Sequence, residues 1–401
     1  MLDPTAIPPV PAHVDRPVIL SYGLGVDSTA ILLRWLSEPA SRDFPLSHLT
    51  VVVAHTGDEW ANTGALVTEH ILPRLRAAGV RLVQVARRGP SLARDGVVVL
   101  DDSRAPRTLY SQGTYKLSDE MFAAGTVPQT GGTRICSIHA KGEPNDLVIA
   151  HLVGSRPYRH VLGFESGECR RADKDRTYDT DQRHGEYPLI TWKWDRADCL
   201  ERIFAETGQW WPKSACSFCP FSLSNQEGRA RTLERFTTEP EPACLALRME
   251  HTATALNPRQ GLLPTARLID LARGFPSMGA TLERFAAQVA DAEHALYRVR
   301  RVWPPKREAP ARAGRAARAV EIMATGSRGR MRAQLAATAF EHTVQVDMSD
   351  ADHPRAWVQR RSSVAGPGAE EFYTTAPATA RHKVGRTFPR AWADQAQQAL
   401  F

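Results

Sequence analysis

Cysteine is scarce in this chain, with six in 401 residues (Cys136, Cys169, Cys199, Cys216, Cys219 and Cys244), too few to staple a small extracellular fold. Long apolar runs are missing too. The longest are short pieces such as Val51–Val53 and Val97–Leu100, far below the roughly 18 residues that a membrane span needs. The opening stretch, MLDPTAIPPVPAHVDRP, carries Asp3 and four prolines before Val14 but no apolar segment, which argues against a secretory leader and predicts a cytoplasmic protein with no membrane partner. Net charge is absent from residues 1–300, which hold 35 basic and 35 acidic side chains; the whole excess of +7 lies in residues 301–401, with 16 Lys and Arg against 9 Asp and Glu. No internal repeat is visible. What is present, 42% hydrophobic and 24% charged residues, is ordinary globular composition at a length suited to two or three domains. A basic segment on a neutral body predicts a polyanionic partner such as nucleic acid, or no more than a solubilising surface.

The pattern along the chain alternates between the two periods. Residues 17–21 (PVILS) read as a buried strand, followed by a glycine-containing turn and a helical run over Thr29–Leu36. Leu49–Ala54 reads as a strand, Asn62–Ala78 as an amphipathic helix kinked at Pro73, and Arg81–Ala86 as a further strand. Asn145–Val153 reads as helix, Tyr158–Phe164 as strand, and Arg196–Thr207 as helix. Such alternation predicts an α/β domain, a parallel sheet with helices on both faces, over residues 17–228 after an N-terminal arm at 1–16. Between Ser91 and Thr133 the pattern weakens into a polar stretch too long for an ordinary connector, which fits functional loops or a lid. Residues 229–303 read as a helical subdomain, with helices over Leu263–Arg273 and Thr281–Val299. Residues 304–401 read as a basic C-terminal region, in which Pro304–Arg318 is a linker or arm and Thr343–Asp347 and Trp357–Arg361 are short strands.

Chemistry concentrates first at Ser21-Tyr-Gly23-Leu-Gly25-Val-Asp27-Ser28, between a strand and a helix. Small residues let backbone amides approach an anion, the helix start favours negative charge, and Ser21 and Ser28 add hydroxyl donors. The segment lacks the Gly-Lys-Ser/Thr of a P-loop and is not G-x-G-x-x-G, so neither of those nucleotide motifs applies. Further along stand Cys216-x-x-Cys219-Pro220, spaced to share a metal, and a C-terminal set of cations, Arg360, Arg361, Arg381, Lys383 and Arg386, interleaved with Phe372, Tyr373, Phe388 and Trp392. Cations with aromatic faces suit single-stranded nucleic acid. The same set also suits a solvated surface packed on a few anchors.

The glycine-rich segment resembles the S-x-G-x-D-S pyrophosphate loop of the PP-loop ATP pyrophosphatase superfamily, the adenine nucleotide alpha hydrolase-like proteins, in the form found in the phosphoadenosine-phosphosulfate reductase-like branch. Other segments follow in the same order. His55-Thr56-Gly57-Asp58-Glu59-Trp60-x-x-Thr63 resembles T-G-x-E-x-x-x-T, and Arg134-x-Cys136 through Lys141 to Pro144 resembles R-x-C-T-x-x-x-K-x-x-P. Gly163-Phe-Glu165-Ser-Gly-Glu168-Cys-Arg170-Arg171 is similar to G-x-R-x-x-E-S-x-x-R, although Glu165 stands where arginine is usual and Cys169 where serine is. Pro188-Leu-Ile-Thr-Trp192 and the Cys216 segment complete a series spanning residues 21–220, similar to the ATPase component of DNA phosphorothioation systems.

The resemblance implies a Rossmann-like domain that binds ATP and Mg²⁺, splits the α–β phosphate bond, and leaves AMP on an acceptor oxygen for displacement by a nucleophile such as sulfide, persulfide or ammonia. It implies nucleotide contacts at Ser21, Gly23, Gly25, Asp27, Ser28, Thr56, Gly57, Glu59 and Thr63, and catalytic parts for Asp27, Lys141, Glu168 and Arg171. Glu59 and Thr63 equally suit the capping of the helix that follows. Related thiolation enzymes carry a [4Fe–4S] cluster, for which Cys136, Cys216 and Cys219 are ligand candidates, with Cys199, Cys169 or Cys244 as a fourth; zinc at the same cysteines and unligated thiols are the alternatives. On this reading the chain is a sulfur transferase of nucleic-acid modification, supplied by a sulfur-donor protein such as a cysteine desulfurase. A sulfonucleotide reductase is a second reading, weakened because the E-C-G-L-H segment is absent and no cysteine follows Cys244. A non-catalytic nucleotide-binding subunit of a modification or defence complex is the third.

Overall fold

The computed structural model describes residues 3–130, 134–362 and 365–398. Two compact units divide the chain, one built from residues 1–118 and 132–217, the other from 119–131 and 218–401. The helical stretch and the basic C-terminal region thus share one unit. Gly131–Thr133, part of the polar stretch read as a lid, lie outside the described residues. Among the described residues no helix is long and apolar enough to cross a membrane.

The first unit is α/β. Its sheet runs β4-β3-β2-β1-β5-β6, made of β1 (Val18–Ser21), β2 (Leu49–His55), β3 (Arg81–Arg87), β4 (Val97–Ser103), β5 (Tyr158–Val161) and β6 (Arg183–Glu186). All neighbours pair parallel except β3 and β4, which run antiparallel. The expected parallel sheet is therefore mixed. An apolar run such as Val97–Leu100 carries no signal of direction, and a short turn after β3 returns the chain along the sheet edge.

Alternation along the strands explains why both faces are covered. Val18, Leu20, Val51 and Val53 point to one side, packing with Ile31, Leu32, Leu72, Leu75, Cys199 and Ile203. Ile19, Val52, Val83 and Val85 point to the other, packing with Val148, Ile149 and Leu152. Ile7, Val10 and Val14 belong to this second cluster, so the N-terminal arm is a packed part of the sheet's covering. Arg156 fastens it by donating to the carbonyls of Val10 and Pro11. The helix read across Asn62–Ala78 comprises α2 (Ala61–Leu66), a π-helical turn (Val67–Ile71) and α3 (Leu72–Ala77). Pro73 has no N–H, and the wider turn directly before it accommodates the interrupted ladder.

In the second unit the helix expected over Thr281–Val299 stops at Asp291, and β7 (His294–Trp303) begins in its place. The segment read as a linker forms a hairpin of β8 (Pro305–Lys306) and β9 (Ala309–Ala313), then enters β10 (Ala317–Gly326). β11 (Val346–Asp347), β12 (Arg355–Gln359), β13 (Gly368–Pro377) and β14 (Lys383–Val384) complete a six-stranded sheet of order β11-β12-β13-β7-β10-β14, antiparallel throughout. Phe372 and Tyr297 fill one of its faces.

Candidate functional site

Strand β1 has β2 on one side and β5 on the other, so the crossovers leave it in opposite directions and a crevice opens past its carboxyl end. The glycine-rich segment occupies that point. After Ser21 the chain turns through Tyr22–Gly25 and enters α1 (Val26–Ser37), capped at Gly25. Leu24 adopts φ 59°, the left-handed region that a branched side chain rarely takes. Its carbonyl accepts from Trp211 Nε1 at 3.0 Å, the carbonyl of Gly23 accepts from Ser214 Oγ at 3.0 Å, and Tyr22 N donates to the carbonyl of Val52 at 2.8 Å. The turn is thereby held with its carbonyls engaged behind it. Gly23 has open space where a Cβ would stand, whereas a Cβ on Gly163 would come 2.8 Å from Ser28 N. Glycine at 163 lets the end of β5 lie against the start of α1.

A cavity of about 810 Å³ opens here, within the size range of small-ligand sites. Ser21, Gly23, Gly25, Asp27 and Ser28 line it, with the cations Lys141, Arg171, Arg196 and Lys213. Lys141 Nζ sits 2.5 Å from Glu59 Oε1, and Glu59 Oε2 accepts from Ser214 Oγ at 3.1 Å. Glu59 thus acts behind the cavity wall, holding Lys141. Arg171 stacks over Phe164, 4.5 Å from the ring centroid, and pairs with Glu168.

Asp27 is the least satisfied of these groups. Its Oδ1 lies 3.3 Å from Arg196 but makes no hydrogen bond; the ion pair has proximity without donor geometry. Burial, partly offset by Arg196, pushes the carboxyl up to about 6. Asn145, also on the wall, holds a second buried oxygen, Oδ1, with no partner. Two buried acceptors without partners on residues of a polar cavity wall fit a ligand that brings a donor or a cation. Asp27 and the loop fit a hydrated Mg²⁺ in this respect, since a cation would satisfy the orphaned oxygen.

Other residues singled out from the sequence do not line the cavity. Thr56 bonds to Asp58 N and Cys216 Sγ, Gly57 (φ 84°) packs against Lys116, and Thr63 is fully buried in α2. The cysteines do not assemble either: among the described residues no group of three or more His, Cys, Asp or Glu is placed to hold a metal ion. Cys199 belongs to the apolar cluster over the sheet, and burial pushes its thiol up to about 12. Cys216 forms an isolated bridge with Glu59, and burial raises its thiol well above the usual range. With no such group among the described residues and Cys199 packed among apolar side chains, the candidate cysteines are not gathered as a ligand set.

Of the aromatic residues read as stacking faces, Phe372, Tyr373 and Phe388 are buried, and Trp392 stacks on Phe388 beside Arg300. Arg360 pairs with Asp347. Arg381, Lys383 and Arg386 remain exposed.

His160, Arg183, Asp175, Asp146, Arg196 and Lys213 line the cavity without having been singled out from the sequence. His160 and Arg183 lie on neighbouring parallel strands, two positions out of register, a relation visible only once strand order is known. Lys213 and Ser214, between Trp211 and the Cys216 segment, were the more legible of the missed residues. No family model, no curated protein and no solved structure matches the chain.

Proposed function

We propose that the first unit is an ATP-dependent adenylating enzyme of the PP-loop type, transferring the AMP moiety of ATP to an acceptor oxygen and releasing pyrophosphate. The observation that carries this reading is the glycine-rich turn at the switch point of the sheet, opening onto a cavity lined by five Lys and Arg side chains and by Asp27 with its orphaned oxygen.

The acceptor oxygen attacks the α-phosphorus, a new O–P bond forms, and the bond from that phosphorus to the bridging oxygen breaks. The electron pair leaves with pyrophosphate, and any proton on the acceptor passes to water. Amides at the start of α1, with Ser21 and Ser28, are placed for the departing pyrophosphate, and Lys141 and Arg171 for the α-phosphate, where negative charge redistributes in the transition state. Glu59 and Glu168 keep those two cations oriented. Mg²⁺ at Asp27 would neutralise phosphate charge. Sulfur transfer through a cluster has no assembled ligand set among the described residues, so the reaction proposed is adenylyl transfer alone. The exposed Arg381, Lys383 and Arg386 support a nucleic acid as acceptor.

The test is product analysis with α-labelled ATP, Mg²⁺ and total RNA or DNA. Label covalently attached to the nucleic acid as adenylyl groups and pyrophosphate should form in equal amounts, and Asp27→Ala and Ser28→Ala should abolish both while leaving the fold intact. Formation of ADP and phosphate, or undiminished adenylylation in both variants, would contradict the assignment.

A further inference from the structure

Ser21 Oγ and His160 Nε2 stand 2.8 Å apart on the cavity wall, the spacing of a serine nucleophile and its base. The third member of the chain reverses that meaning. In a Ser-His-Asp arrangement a carboxylate accepts a proton from Nδ1, which leaves the Nε2 lone pair free to take the serine proton. Here Arg183 Nε lies 3.0 Å from His160 Nδ1, and a guanidinium can only donate. The Nδ1 lone pair is therefore occupied, the neutral ring carries its proton on Nε2, and Ser21 Oγ must accept. The serine hydroxyl hydrogen is left to point elsewhere, and the cavity is where an acceptor can stand.

The guanidinium is itself fixed. It pairs with Asp175 and Asp179, each at 2.6 Å, and Asp175 also accepts from Tyr187 Oη at 2.8 Å. Tyr158 lies against the imidazole, with ring centroids 6.1 Å apart. His160 is only 5% exposed, and burial together with the Arg183 charge pushes it down to about 4. Protonation would also set an Nδ1–H against the Arg183 Nε–H, so the ring stays neutral across the physiological range.

We propose that His160 is a positioning residue which commits the Ser21 hydroxyl to donating toward an anionic oxygen of the ligand, and that Arg183 sets this polarity by occupying Nδ1. The anion is a phosphate oxygen, which rests on the nucleotide reading given above. Ser21 is then a fixed donor and not a nucleophile, because no lone pair is available to receive its proton.

Two experiments on the full chain test this. In protein with isotope-labelled histidine, long-range proton–nitrogen correlations, assigned by loss of the signal in His160→Gln, should show the Nε2–H tautomer unchanged from about pH 8 to about pH 5.5. An Nδ1–H tautomer, or an imidazolium in that range, would overturn the proposal. Calorimetric binding of inorganic pyrophosphate should weaken about tenfold in Ser21→Ala and in His160→Phe. The double variant should lose no more than about threefold beyond either single one, the non-additivity expected of residues acting as a unit. His160→Gln, which keeps a donor, should recover most of the loss. Additive losses, or wild-type affinity in His160→Phe, would overturn the relay. Wild-type protein that binds neither ATP nor pyrophosphate but shows the Nε2–H tautomer would instead remove the phosphate reading and leave the polarity of the relay intact.

Discussion

In the sheet of the first unit, β1 and β2 are almost entirely apolar, and the charged groups gather beyond their carboxyl ends. In the sheet of the second unit, charges stand on the strands themselves. Arg301 faces Glu370 directly across β7 and β13 at 2.6 Å, Arg298 reaches Glu371 diagonally at 2.6 Å, and Arg300 reaches Glu321 of β10 at 2.7 Å. The two central strands of a sheet covered on both faces have no place for a charge, so charged groups stand on the outer strands, as Arg81 with Asp102 and Arg159 with Glu186, or collect beyond the carboxyl ends, where they are available to a ligand. An antiparallel sheet can pair charges across strands, and those charges then hold the sheet together. The difference teaches that excess positive charge does not by itself locate a binding site: several arginines of the basic C-terminal sheet are occupied internally, while the nearly neutral first unit keeps one oxygen each of Asp27 and Asn145 without a hydrogen bond.

Three substitutions would break or sharpen this contrast. The largest effect is expected for Arg301→Met, which strips a buried carboxylate, Glu370, of its buried partner and leaves it only the half-exposed Arg259. Unfolding in urea should show a loss of about 3–5 kcal/mol; a loss below about 1 kcal/mol would mean that the pair does not hold the sheet.

Asp27→Asn should act in the opposite direction. Its carboxyl titrates at about 6 in the folded chain, above the ordinary value of 3.8, so its contribution to stability is full below about pH 4 and is lost as pH rises through about 6. In chelator, the neutral asparagine should therefore make the chain more stable by about 3 kcal/mol at about pH 8, and by almost nothing at about pH 4, while ATP turnover disappears. Equal stability of the two proteins at both pH values would show that Asp27 carries no such burden.

A smaller change, about 1–3 kcal/mol in stability, is expected for Gly163→Ala, whose Cβ presses on the start of α1. Its ATP affinity should fall with the displaced amides. Unchanged affinity would place the phosphates elsewhere.

Much of the first unit was legible because its strands and helices have the two separate periods, and because the loop residues stand together in the sequence. The second unit misled for a physical reason. In β7, Leu296, Val299 and Val302 recur every third residue, as on a helix, while the intervening arginines are charges that the sheet neutralises only through glutamates some 20 and some 70 positions later. Cys199 joined the ligand candidates by residue type alone; its place in the apolar cluster depends on which face of its helix meets α1. The relay of Ser21, His160 and Arg183 was invisible for the same reason, since its members are brought together by strand order and not by spacing.

The central claim is that the crevice beyond β1 holds a nucleoside triphosphate by its phosphates. Calorimetric titration of a non-hydrolysable ATP analogue with Mg²⁺ into the full chain tests it most directly. The account predicts a single site per chain, emptied by competing pyrophosphate and lost in Ser28→Ala. An analogue that fails to bind, or that binds equally well in the presence of pyrophosphate and in Ser28→Ala, would contradict it.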